Sequence, residues 1–141
     1  YDTIAQAGVD EGLLFAFDEI RRTPSTLLAH RLVRRAADRD CQTAIVDDMF
    51  VRYFTRGENI GDLDVLVAVA ESAGLDGKET RAFLETDEET DVVLAEHNLA
   101  QRTGINGVPC FILDGRYAVS GAQSPEVLQR MIDTARTTAA A

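Results

Sequence analysis

Residues 103–123 read TGINGVPCFILDGRYAVSGAQ, and two apolar runs in it, VPCFIL (108–113) and RYAVSG (116–121), flank Asp114-Gly115. Runs rich in β-branched and aromatic residues on either side of Asp-Gly predict a β-hairpin, because a type I′ turn needs positive φ at both central residues. Pro109 stands at the head of the first run, where it cannot donate to a ladder and so needs a special geometry. A cis Val108–Pro109 peptide is one such geometry, since X-Pro bonds reach cis at a cost of about 0.5–1 kcal/mol. Beyond Gly121, Ser124-Pro125-Glu126 supplies a cap, a first-turn proline and a first-turn acid for a terminal helix carrying Val127, Leu128, Met131 and Ile132. The Ala-rich end after it is expected to fray.

Upstream of Gly104 the pattern changes to a period of 3.6. Working back, a helix is predicted over about 87–102, stopped by Gly104, and a short one to Leu84 starts at Asp76 with Glu79 three residues on, in the manner of a capping box. Asp62 is placed to cap a helix whose Val65, Leu66, Val69 and Ala70 form one face before Gly74. Ile45, Val46, Met49, Phe50, Tyr53 and Phe54 recur at spacings of three and four, predicting a helix over 43–55 ended by Gly57. Thr23-Pro24 marks the start of another helix, running to about Arg39. Before these five helices, Leu13–Asp18 (LLFAFD) reads as an extended segment too short to stand alone. The chain does not begin with Met, and its first residues resemble the end of a helix already under way, so a longer natural polypeptide is expected.

The 141 residues suffice for about one domain with its own core. Fourteen Lys and Arg against 24 Asp and Glu leave a net charge of −10, which opposes attraction to nucleic acid or to an anionic membrane. No apolar run approaches the roughly 20 residues that span a bilayer, and the first residues lack the pattern of a signal peptide. Cys41 and Cys110 are the only cysteines, at a separation that suits neither a disulfide framework nor a metal site. Reduced thiols and a cytoplasmic location are the reading, with no metal and no cofactor expected.

The stretch 103–123, above all its Gly-Ile-x-Gly-Val-Pro opening and Tyr-Ala-Val-Ser-Gly-Ala-Gln finish, resembles the cis-proline region of the DsbA-like thioredoxin superfamily, in particular its FrnE-like branch. Ala29-His30-Arg31-Leu32 agrees, as does Tyr53-Phe54-Thr55 followed by Gly57 and Ile60-Gly61-Asp62. The resemblance implies an α/β chain with a thioredoxin-like fold and an inserted helical domain. Residues 1–22 would end the N-terminal thioredoxin half, 23–103 would be the insertion, and 104–141 the C-terminal half. The N-terminal strand-helix-strand segment, with the Cys-x-x-Cys that the family carries at a helix N-terminus, would lie outside these residues.

The same resemblance implies a protein-disulfide oxidoreductase or isomerase acting on protein or peptide thiols and disulfides. Pro109 would face the cysteine pair and the backbone of Val108 would pair with an extended substrate. By itself the chain, lacking Cys-x-x-Cys, is expected to be inactive. A neighbouring branch offers an alternative, the glutathione-dependent kappa-class transferases and 2-hydroxychromene-2-carboxylate isomerases. A non-catalytic binding module is a third reading. A sheet without its first strand would expose an edge and an apolar face, so a preceding segment or a second copy in a homodimer is expected to cover it.

Among the other candidates, Cys110 reads first as a small apolar side chain in a strand and second as a thiol near the redox site. Cys41, between helices, reads as a spectator. His30 could line the cleft beside the proline strand, although a boundary histidine is commoner, and His97 reads as solvated. Asp47, Asp48 and Asp87 to Glu89 are adjacent in sequence, do not face each other as an acid/base pair would, and read as solvated. No phosphate loop, Gly-x-Ser-x-Gly elbow or His-Glu-x-x-His motif is present.

Overall fold

Leu32, Ile45, Leu66 and Val69, fully buried, form the centre of a helical cluster, and each lies on the apolar stripe of an amphipathic helix. The structure, a computed structural model, describes residues 2–139, which divide into two compact units, one ending at Val93 and the other beginning at Leu94. In the first lie α1 (Asp2–Asp10), α2 (Leu27–Arg35), α3 (Gln42–Phe50), α4 (Leu63–Ser72) and α5 (Gly77–Leu84), and α6 (Thr90–Arg102) spans the division. α2, α3 and α4 pack on one another and α5 packs on α2 and α4. Burying each large aliphatic side chain there contributes about 1.5–3 kcal/mol.

The helix ends follow their predicted chemistry. Asp62, with extended backbone, accepts hydrogen bonds from the N–H groups of Asp64 at 2.9 Å and Val65 at 3.4 Å, and Asp76 accepts from Glu79 N–H at 2.8 Å. α4 ends in a Schellman arrangement, with Gly74 N–H donating to the Glu71 carbonyl and Leu75 N–H to that of Ala70. α6 ends alike, Gly104 donating to Gln101 and Ile105 to Ala100. Both glycines have positive φ, as this cap requires.

Four segments differ from the sequence reading. The segment 13–18 pairs with no strand among the described residues; Leu13 N–H donates to Gly8 O, Ala16 N–H to Phe54 O, and Phe17–Glu19 is a 3-10 turn. α2 starts at Leu27 rather than at Pro24, because Pro24 and Ser25 lie flat against Gly61, where an added Cβ would come within 3.0 Å of Pro24 Cβ and 2.8 Å of Ser25 O. It also ends earlier, at Arg35, with a 3-10 turn at Ala37–Arg39 before Asp40 takes positive φ. The helix predicted over 43–55 widens into a π-helical turn at Val51–Thr55, where Arg52 donates to Asp48 and Glu58, both at 2.9 Å. α6 begins at Thr90 rather than Asp87, since Glu89 has positive φ and residues 86–88 turn around a buried cation.

That cation is Arg31, 2% exposed. Its guanidinium donates to four carbonyls at and just past the end of α5: Phe83 at 3.0 Å, Leu84 at 3.3 Å, Thr86 at 2.8 Å and Glu88 at 2.8 Å. Its carbon Cζ stands 5.0 Å from the Phe83 ring centre, and Arg35 stacks on that ring at 4.5 Å. A helix leaves its last carbonyls unpaired and negative, so a buried guanidinium at that end satisfies both the hydrogen bonds and the charge.

In the second unit, β1 (Cys110–Leu113) pairs antiparallel with β2 (Tyr117–Ser120), and α7 (Pro125–Ala139) packs on both strands. The chain is thus mixed α/β and mostly helical, with a two-stranded sheet among its described residues. Asp114 and Gly115 both have positive φ, and Arg116 N–H closes the turn on Leu113 O at 3.1 Å. The connection is nevertheless three residues long, not two, because Leu113 pairs with Tyr117 and leaves Arg116 as an extra residue. Among the described residues no helix is long and apolar enough to cross a membrane. Ala140 and Ala141, the last of the Ala-rich end, lie outside the described residues.

α7 starts at Pro125 as predicted, but Ser124 acts through Glu126: a hydrogen bond with the Ser124 side chain, then one with its own backbone N–H, holds the Glu126 carboxyl below the usual 4.5. A lowered folded-state pKa means that the ionised form favours folding. The stabilisation is complete above the unfolded pKa and is lost as pH falls through the folded one. Glu126→Gln is therefore expected to melt below the parent at pH 7 and together with it in acid, and thermal melts at both pH values check this.

Candidate functional site

β1 owes its edge to its register. Pro109 O accepts from Gly121 N–H at 2.8 Å, which continues the ladder Cys110↔Ser120, Phe111↔Val119, Ile112↔Ala118 one step toward the N-terminus. In an antiparallel pair the backbone groups of alternate residues face the partner. Those of Pro109, Phe111 and Leu113 therefore face β2, and those of Cys110 and Ile112 face the opposite side. No other strand among the described residues pairs there.

The same stretch is open at its side chains: Val108 is 89% and Ile112 55% exposed. The Val108–Pro109 peptide is cis. On the β2 side the Ser-Gly-Ala-Gln stretch forms a turn, with Gly121 at positive φ and Gln123 Nε2 donating to Ser120 O at 2.7 Å. That edge offers the outward N–H and C=O groups of Cys110 and Ile112, with Val108 exposed at the head of the strand. Such an edge can take an extended peptide as an added strand.

Of the residues singled out in the sequence, Val108, Pro109 and Cys110 meet on this edge, with Cys110 half-buried and its thiol unpaired. His30 lies in the first unit, exposed on α2. Cys41 is half-buried just before α3, and His97 is exposed on α6. Asp48 is not merely solvated, since it holds Arg52, and Glu89 pairs with Arg34 at 3.2 Å. Among the described residues no three His, Cys, Asp or Glu side chains gather in a way that would hold a metal ion.

Sequence reasoning weighed His30 and passed over its neighbour Arg31. The signal was present, because Arg31 falls on the same helical face as Leu28, Leu32 and Arg35 at spacings of three and four, an unusual place for a charge.

The DSBA-like thioredoxin domain matches the chain over residues 1–133. The chain belongs to this family. Among solved structures, the DSBA-like chain superposes with a TM-score of 0.83 and 33% identity on a probable DsbA oxidoreductase, SCO1869, from Streptomyces coelicolor, over 96% of its own length and 58% of the other's. Among curated proteins it is 35% identical over 85 residues to the uncharacterised protein YwbO of Bacillus subtilis (strain 168), 60% of this chain and 42% of YwbO. The DSBA-like chain thus spans about half the length of the relatives it matches.

Proposed function

We propose that this chain is the substrate-presenting part of a thiol-disulfide oxidoreductase of the FrnE-like type, with Val108 and Pro109 at the head of β1 presenting an extended substrate. The observation that carries the reading is Val108, 89% exposed beside Pro109 at the head of β1. A thiolate must approach a disulfide along a defined line, and a substrate held as an added strand has its sulfur fixed in position. The sulfurs themselves come from a Cys-x-x-Cys outside residues 1–141, whose sole cysteines are Cys41 and Cys110. One thiolate attacks the substrate disulfide and forms a mixed disulfide while the other substrate sulfur leaves as a thiolate; the second cysteine then resolves it, releasing reduced substrate and an oxidised pair. The unpaired thiols of Cys41 and Cys110 support a cytoplasmic setting.

The test is an amide NMR titration. An extended peptide bearing an S-methylated cysteine is expected to shift the amide of Val108 strongly and those of Phe111 and Val119, which face each other within the hairpin, weakly. Equal shifts at all three, or saturable binding that leaves Val108 untouched, sinks the assignment.

A further inference from the structure

Arg21, Arg22 and Thr23, between the 3-10 turn and Pro24, make no hydrogen bond from backbone or side chain to the described residues, and neither arginine has an ion pair. In the same unit Arg34, Arg52, Arg56 and Arg81 each hold a carboxylate, Arg31 holds carbonyls and Arg35 stacks on Phe83. The unpartnered pair borders a cleft of about 220 Å³ walled by Phe17, Ile20, Tyr53 and Phe54. Tyr53 adds a third donor, since its hydroxyl has no hydrogen bond among the described residues although the residue is half-buried.

The lining of this cleft holds two guanidiniums, two hydroxyls and no carboxylate, in a chain of net charge −10. The adjoining cleft shares Arg21, Arg22 and Tyr53 and adds Glu19 and Glu58, of which Glu58 is engaged by Arg52 and Arg56, while neither carboxylate pairs with Arg21 or Arg22. Guanidiniums that hold no carboxylate favour an added anion, and adjacent guanidiniums suit a carboxylate held through two parallel N–H donors. The apolar half of the wall needs a matching body, which inorganic phosphate lacks. The volume is below the 300 Å³ or so typical of drug-sized ligands, and the overall charge repels polyanions.

We propose that this cleft binds a small monocarboxylate with an apolar body, the Arg21–Arg22 pair taking the carboxylate and the Tyr53 and Phe54 rings taking the body. The test uses phenylacetate as the probe, titrated into the natural polypeptide that contains residues 1–141 and followed by amide NMR. Saturable shifts centred on Phe17–Thr23 and Tyr53–Phe54 are expected, with affinity falling at least about tenfold in Arg21→Gln/Arg22→Gln. Tyr53→Phe should fall by less. Because Arg21 and Arg22 hold no hydrogen bond or ion pair among the described residues, the double variant should keep the parent's thermal melt. Phenethylamine, with the same ring and the opposite charge, and acetate, with the charge and no ring, are expected not to saturate. Equal response to either control, an unchanged affinity in the arginine variant, or no saturable shift in this cleft overturns the proposal.

Discussion

Arg31→Met is expected to remove about 3 kcal/mol of stability, read as a lower urea midpoint at unchanged slope. The four carbonyls that Arg31 serves do not suffer alike. Phe83 O retains a second donor, Thr86 Oγ1 at 2.7 Å, and the bonds to Thr86 O and Glu88 O lie in partly buried surroundings that water can enter. Leu84 O is buried and loses its side-chain donor outright. An unsatisfied buried carbonyl costs about 1–3 kcal/mol, and the stacking on Phe83 adds part of another.

Burying a cation costs solvation free energy, so methionine, with similar bulk, gains some of that back. In a buried ion pair this gain can win, because both charged partners can be replaced together by apolar ones. Here the partners are backbone carbonyls that no substitution removes, and the loss therefore prevails. Arg31→Lys keeps the charge but has a single donor centre for carbonyls spread along a turn, so it should recover about half of the loss. His30→Ala, one residue away and exposed, should stay within about 0.5 kcal/mol of the parent. An Arg31→Met variant as stable as His30→Ala would show that the end of α5 does not depend on this cation.

Features fixed by local chemistry were legible in the sequence. Asp62, Asp76, Gly74 and Gly104 announce their caps because each acts within four residues of itself. Asp114-Gly115 announces the hairpin for the same reason, although the extra residue Arg116 depends on the pairing of Leu113 with Tyr117, a tertiary fact. Pro24 misled because a proline suits the first turn of a helix equally well as a docked coil, and only Gly61 decides between them. The π-helical turn at Val51–Thr55 was illegible because its apolar spacing is that of an ordinary helix, whereas the widening coincides with Arg52 reaching both Asp48 and Glu58. As for the site, Gly107-Val108-Pro109 could be read from the motif. The cleft at Arg21–Thr23 could not, since it brings together segments thirty residues apart whose side chains carry no pattern.

Gly57→Ala is expected to cost about 2–4 kcal/mol, and more than any other glycine substitution at positive φ in the helical unit. Gly57 has φ +66, where a Cβ alone costs about 1–2 kcal/mol. The added carbon would also lie 2.6 Å from Glu19 Cβ, 2.8 Å from its carbonyl carbon and 2.9 Å from its carbonyl oxygen. Backbone atoms cannot rotate aside as a side-chain tip can, so the loop at Glu19 must shift, adding an overpacking cost. Gly74, at φ +87 with nothing within 4 Å of the added carbon, isolates the conformational part. The difference between Gly57→Ala and Gly74→Ala in urea unfolding therefore measures the close approach alone, and a difference under about 0.5 kcal/mol would show that the loop yields freely. The same pair bears on the cleft, because Glu19 leads directly into Ile20–Thr23. Displacing it should weaken phenylacetate binding in Gly57→Ala, whereas Gly74→Ala, remote in the cap of α4, should bind as the parent does.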